Sequence, residues 1–412
     1  MLRSVPSPTA TSRDLRLLAG AVFLSAAGDL LALIALALHV HALTGSGLAV
    51  SALFAATLVP AVVLAPVAGL FADRVESVRV LVCASLAQAA VAAALAFSGD
   101  LAAILALPAL LASANAFGHT AEFTLIAAVA GARRVTEATG IVEAARSAGL
   151  AAGPLLGAAL ATLGLRPALL VNAATFLAIA AAAGALRTRR PPRTTSVEQR
   201  ARALDGVRLL RRDEVLRIAT ATAVGALLLI AATPTVEVFY IKDVVGAGDS
   251  AYALVVCAWM AGMVTGAGAL AHRVKARLAA TGALVALAVQ GAGIALQATW
   301  AILPVTLGGY LVGGLGQGVK DVLLRALIAD RVPAAAHGRA FAAYNAARSA
   351  AQFAALGAGG LLVDAVEPRG ALALAGLGPV LAAAAGLTAL RHRGGAARHH
   401  DTGNDSAVVV AR

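Results

Sequence analysis

The sequence predicts an all-α membrane protein of twelve transmembrane helices, built as two parallel six-helix halves related by a pseudo-two-fold axis. Three observations predict it. The 412 residues are 60% hydrophobic and 13% charged, with a mean hydropathy of +0.85, which leaves too little polar surface for so long a chain to face water. Twelve apolar segments each reach the roughly 20 residues that cross a hydrocarbon core of about 30 Å. Short sequences also recur about 200 residues apart, in corresponding segments of the two halves.

Residues 1–14 are rich in Ser, Thr and Pro and read as a disordered cytoplasmic tail. The first crossing, 15–43, is too long for a signal-peptide core and is expected to remain as a helix. Crossings 46–72, 78–98, 101–131, 137–163 and 167–187 complete the N-terminal half, 15–187. A linker, 188–215, follows and is strongly basic. Leu204, Val207 and Leu210 lie three residues apart among Arg200, Arg202, Arg208, Arg211 and Arg212. That pattern predicts an amphipathic helix on the inner membrane surface. Crossings 216–241, 250–272, 279–298, 301–330, 338–364 and 369–391 form the C-terminal half, 216–391. Residues 392–412 read as a second disordered cytoplasmic tail. Aromatic residues make up only 4% of the chain while Ala and Gly abound, so the helices are expected to be thin and closely packed.

With the N-terminus inside, 26 of the 33 Lys and Arg fall in inside loops and tails, and only Arg166, Lys242 and Arg369 fall outside. This sets both termini in the cytoplasm. The net charge of +12 is thereby explained by topology, without nucleic acid as a partner. Cys83 and Cys257 sit singly inside apolar segments and read as small buried hydrophobes, with no disulfide or metal spacing. His39, His41, His392, His399 and His400 have no chelating arrangement, so no metal is expected. A phosphate-binding Gly-rich loop, a nucleophile elbow and an H-E-x-x-H helix are all missing, which speaks against ATP-driven transport and against an enzyme, and no cofactor is expected.

The internal repeat is specific. Ala144-Ala145-Arg146-Ser147-Ala148 returns as Ala346-Ala347-Arg348-Ser349-Ala350, an offset of 202. Leu70-Phe71-Ala72-Asp73-Arg74-Val75 is echoed by Leu270-Ala271-His272-Arg273-Val274, with Arg74 facing Arg273, an offset of 199. His272 in place of Asp73 makes the two hinges inequivalent.

Ionisable groups in hydrocarbon cost at least about 2.5–3.5 kcal/mol, so each needs a reason. Asp29 lies near the middle of the first crossing, without a base within one turn. It reads either as a proton-titrating or cation-contacting group facing a central cavity, or as a polar group satisfied by another helix. His119 and Glu122 are three apart on the fourth crossing and share a face. They form either a proton relay or a structural hydrogen bond. Glu143 and Arg146 share a face of the fifth crossing. Asp321 and Arg325 are four apart on the tenth, with Lys320 beside them, and Arg348 stands on the eleventh. These charges read as cavity sites or as inner-side networks that lock the halves together. Gly149, Gly153 and Gly157, with Pro154 among them, give the fifth crossing a face of small residues for close helix approach.

The stretch Gly69-Leu70-Phe71-Ala72-Asp73-Arg74 resembles the loop motif of the major facilitator superfamily, G-x-L-a-D-R-x-G-R-R. Glu76, Ser77 and Val78 depart from its end, and only Arg79 keeps a base there. Asp73-Arg74-Val75-Glu76 is closer to the D-R-V-D-R-R of the macrolide and enterobactin exporter branch. Gly28-Asp29, Thr44-Gly45-Ser46, Pro60, Arg325, Asp330-Arg331-Val332-Pro333 and Gly338-Arg339 fit that branch too. Gly153-Pro154-Leu155-Leu156-Gly157 resembles the G-P-x-x-G antiporter motif of the fifth helix of exporters. The resemblance covers residues 15–391. It implies alternating access about a midplane cavity lined by crossings 1, 4, 7 and 10. Gly69, Asp73 and Arg74 would then help hold the cytoplasmic side shut. It further implies a multi-pass plasma-membrane protein, expected to be a monomer, that couples protons to efflux of small amphipathic molecules such as a drug, antibiotic or siderophore. An importer or uniporter of a small metabolite on the same fold, and a sensor or scaffold without transport, are the other readings.

Overall fold

A computed structural model of the chain describes residues 8–131, 134–160, 164–188, 202–333 and 336–408, excepting the side chains of 8–12, 65–66, 69–70, 72–73, 136, 160, 202–205, 272, 276, 338, 357–364 and 393–408. Among these residues every regular element is helical. The first six helices are α1 (Pro8–Thr44), α2 (Gly47–Arg74), α3 (Ser77–Ala96), α4 (Leu101–Ala130), α5 (Val135–Leu160) and α6 (Leu165–Gly184). Within the linker lies α7 (Arg202–Arg212), and then come α8 (Glu214–Ile230), α9 (Thr233–Phe239), α10 (Asp249–Thr265), α11 (Ala279–Gln297), α12 (Leu303–Arg331), α13 (His337–Ala365) and α14 (Pro368–Val408).

Local chemistry sets the ends. Gly45, at φ +57°, takes the left-handed step that closes α1. Ser46 then caps α2, its hydroxyl accepting from the Ala49 N–H at 3.4 Å. Asp100 caps α4 through the Ala103 N–H at 3.0 Å, and Asp213 caps α8 through the Leu216 N–H at 2.8 Å.

Among the described residues, nine helical stretches are long and apolar enough to cross a membrane. α5, α12 and α13 are not among them. They are 26, 29 and 29 residues long, and they carry the charged residues Glu143 and Arg146, Lys320 to Arg325, and Arg348. Length suits them to crossing; charged and polar residues, and in α12 a run of glycines, lower their hydropathy.

The seventh crossing, expected to run unbroken over 216–241, is interrupted. α8 stops at Ile230, a turn spans Ala231 and Ala232, α9 restarts at Thr233, and a π-helical turn covers Tyr240–Val244. Pro234 is the reason: it has no N–H to give the preceding turn, and it is tolerated in the first turn of the new helix. The apolar run hides this from a hydropathy reading. Cys83 also differs from expectation. It is exposed, and Cys257 is only half-buried, because a lipid-facing position is as apolar as a core.

The chain forms two compact units. The first comprises Met1–Val197, Pro234–Met260 and Leu356–Pro368. In it α1 packs on α5 and α6, α2 on α4, and α3 on α4 and α6, around Leu18, Leu81, Leu125, Val129 and Leu186. The second comprises Glu198–Thr233, Ala261–Ala355 and Arg369–Arg412. There α11 packs on α12, and Leu216, Leu323, Leu327, Ile328 and Tyr344 share a core. α7 is docked into it. Leu210 is buried, and a Cβ at Gly206 would collide with the Arg339 carbonyl and Ala343. Val207, expected on the apolar face, is exposed, and the side chain of Leu204 lies outside the described residues.

Asp14 ties the start of α1 to the end of α6. It is fully buried, and its Oδ2 accepts from the N–H of Arg187 at 3.1 Å, the N–H of Thr188 at 2.9 Å and the Thr188 hydroxyl at 2.8 Å. Asp14→Ala leaves those donors facing a void and is expected to cost about 1–3 kcal/mol. A lower Tm in detergent checks this.

Candidate functional site

The site begins with a bare helix contact. A Cβ at Gly149 of α5 would collide with the Phe23 carbonyl and approach the Ala26 Cβ. One at Gly153 would lie 2.8 Å from the Ala27 carbonyl and 3.0 Å from the Leu30 Cβ. Only glycine lets α5 rest on the main chain of α1 over this stretch. Pro154 is buried within α5, which continues through it. Gly157 is different: its added Cβ would make ordinary contact, 3.6 Å from the Ala253 Cβ. The register of this contact sets Asp29 of α1 level with Gly153 of α5, about two turns beyond Arg146.

Gly28 does the same toward α6. A Cβ there would stand 2.6 Å from Thr175 Oγ1 and 2.7 Å from Asn172 Oδ1. Its absence brings these polar groups alongside Asp29. The Ser25 hydroxyl donates to Asp29 Oδ2 at 3.4 Å. Asp29 Oδ1 is buried without a hydrogen bond, and Arg146 lies within electrostatic reach.

Arg146 is the hub. Its Nη2 donates to Glu122 Oε1 at 2.6 Å, and its Nε lies 3.5 Å from Glu143 Oε1. The sequence suggests Glu143 alone as its partner, yet the shorter bond joins α5 to α4. Glu122 is only 8% exposed, so this pair is the one with energetic weight. Asp29, His119, Glu122 and Arg146, with Ser85, Gln88 and Asn115, line one cavity of about 50 Å³ between α1, α3, α4, α5 and α6. That is room for a few water molecules, and too little for an organic substrate. His119 stacks on Phe123 at 4.9 Å.

The second unit holds a smaller cluster. Lys320 is 7% exposed; its Nζ donates to Gln290 Oε1 at 2.8 Å and lies 3.7 Å from Asp321 Oδ1. Gln290 in turn donates to Gln317 at 3.3 Å. The pair expected between Asp321 and Arg325 is not formed among the described residues; Arg325 is exposed. Arg348 lies over the Tyr344 ring at 5.9 Å, within electrostatic reach of Lys320.

The loop motif is only partly visible. The side chains of Gly69 and Asp73 lie outside the described residues. Arg74 is exposed and ends α2. Arg79 pairs with Glu76 at 2.9 Å, so the remaining base answers the acid that replaces the motif's glycine. At the other end of α1, His41 Nε2 lies 3.2 Å from Asp243 Oδ1, with its ring edge-on to Phe239 at 4.6 Å. The hydroxyls of Ser51 and Thr235 share a hydrogen bond of 3.1 Å. Among the described residues no group of three or more His, Cys, Asp or Glu could hold a metal.

Sequence reasoning missed Gln88, Asn172, Glu237 and Gln290, all buried. The repeat offset was the available signal. An offset of 202 carries Gln88 to Gln290, His119 to Asp321 and Arg146 to Arg348. Each half thus bears a buried Gln and an Arg at matching places.

A bundle of membrane-length helices with charged side chains in a buried cavity has the build of a multi-pass membrane transporter. The profile of the Major Facilitator Superfamily matches residues 18–355, and the chain belongs to that superfamily. Three solved structures show the same fold. The nucleoside transporter NupG aligns with a TM-score of 0.72 at 14% identity, over 91% of this chain and 99% of its own. A bacterial homologue of the human lysosomal transporter Spinster, inward-facing and unoccupied, aligns at 0.67 and 14%, over 93% of each chain. The human organic anion transporter MFSD10 (TETRAN) aligns at 0.61 and 19%, over 92% and 100%. No curated protein matches the sequence.

Proposed function

We propose that this chain is a proton-coupled exporter of small amphipathic molecules, working by alternating access in the plasma membrane with both termini in the cytoplasm. The observation that carries this reading is the water-sized cavity in which Asp29, His119, Glu122 and Arg146 meet. It suits protons and excludes a substrate, so coupling and cargo are handled in different places. Arg146 is held by Glu122 and Glu143 and reaches toward Asp29. A proton on Asp29 removes one of the anions that Arg146 balances, and its release restores that anion. The α1–α5 contact carries the resulting change along both helices. Support for small organic cargo comes from the structural neighbours, whose names are those of nucleoside and organic anion transporters. Support for the outward direction comes from the fifth-helix G-P-x-x-G motif, whose Gly153 rests on α1 between Ala27 and Leu30, level with Asp29.

The test is Asp29→Asn in cells loaded with a labelled amphipathic antibiotic. Uphill efflux is expected to fall on the order of a hundredfold, the usual scale for losing a positioned proton-accepting group. Efflux that persists at the parental rate and still collapses with an uncoupler would falsify Asp29 as the coupling site.

A further inference from the structure

The second unit carries a groove of about 760 Å³ between α7, α8, α13 and α14 that the coupling site does not use. Its two ends differ. At one end stand Arg211, in the last turn of α7, and Arg217, in the first turn of α8; both are exposed. From there the wall becomes Ala221, Gly225 and Ala226 on α8, faced by Ala382, Ala385 and Gly386 on α14. Arg217 to Ala226 spans nine residues, about 13 Å at 1.5 Å per residue. The groove therefore starts at a guanidinium rim and runs more than a third of the way into the apolar length of the helices. These small residues open a slot between bulkier neighbours, among them Ile218, Val224 and Tyr344.

We propose that this slot binds one anionic phospholipid of the leaflet that faces the basic linker. The phosphate would sit between Arg211 and Arg217, and one acyl chain would lie along the Ala/Gly wall. Charge complementarity selects this occupant. Arg208 and Arg212 lie on the same helix, α7. Of the nearby acids, Asp213 caps α8 and pairs with Arg331 at 2.9 Å, while Glu214, 3.5 Å from Arg217, would share that guanidinium with the phosphate. Bases beside an anionic surface favour acidic lipid by a factor of about five each. α7 can present them because Gly206 and Leu210 dock it on the second unit. The proposal rests on a membrane-embedded chain and not on proton coupling or efflux.

The full-length protein, exchanged into mixed micelles of phosphatidylglycerol and phosphatidylcholine, tests it by native mass spectrometry. The parent is expected to retain one phosphatidylglycerol per chain, favoured over phosphatidylcholine by about tenfold or more. Arg211→Gln with Arg217→Gln should make retention of the two lipids equal. Ala385→Phe, which fills the slot from an exposed wall position, should remove both at an unchanged Tm. Equal retention of both lipids by the parent, or a preference for phosphatidylglycerol that survives the double Gln variant, overturns the proposal. Retained lipid in Ala385→Phe overturns the place assigned to the acyl chain.

Discussion

Arg146→Met should destabilise the protein by about 3–5 kcal/mol, the usual cost of leaving one member of a buried ion pair without its partner. Glu122 is the member left behind. Its side chain is 10% exposed, and its 2.6 Å bond to Arg146 is the shortest in the cluster. Truncation to Met keeps the apolar stem and removes only the charged head, so the loss measures the pairing and not the packing. Adding Glu122→Gln to the same chain should return most of the stability, because a buried amide needs only a hydrogen bond while a buried carboxylate needs a cation. Glu143 is 45% exposed and can stay solvated, so Glu143→Gln should change the Tm little. Unfolding in detergent, followed by tryptophan emission or circular dichroism, reads all four chains. Transport should stay lost in the Met/Gln chain even where its Tm recovers. A Met variant that melts with the parent would show that Glu122 has another partner.

The second large effect is steric. Gly149→Leu should prevent α5 from seating on α1 and yield no folded protein at growth temperature. The obstacle is the main-chain carbonyl of Phe23, which cannot swing aside as a side chain could. Gly149→Ala tests the same contact more gently. It should cost about 1–3 kcal/mol, as overpacking does, even though alanine is the better helix former. Gly157→Ala is the control. Its new methyl meets Ala253 at 3.6 Å, so helix propensity should dominate and stability should rise by up to about 1 kcal/mol. The contrast between two glycines of one motif separates a packing role from a merely permissive one.

Much of the fold was legible because hydrocarbon imposes a length and an all-helical backbone on every crossing. The interruption at Ala231–Ala232 was signalled only by Pro234, which a reading by length and hydropathy passes over. In the site, the local pair Glu143–Arg146 could be read from spacing along one helix. The bond from Arg146 to Glu122 could not, because it depends on how α4 and α5 are rotated against each other. Asp29 was legible as an isolated charge. Its cavity was not, since Ser25, Ser85, Gln88 and Asn115 are ordinary polar residues until α1, α3 and α4 bring them together. Gly28 and Gly149 mattered as much as any charge; the four-residue spacing of Gly149 and Gly153 announced a close helix contact, but not that α1 is the helix met there.

The naked seam between α1 and α5 has a mechanical corollary. Two main chains in direct touch have no compliant layer of side chains to absorb a displacement. A push on one helix reaches the other undiminished, as between meshed gears without backlash. Mutations that rescue a damaged Asp29 are then to be sought along the whole length of that helix pair, including turns remote from the carboxylate.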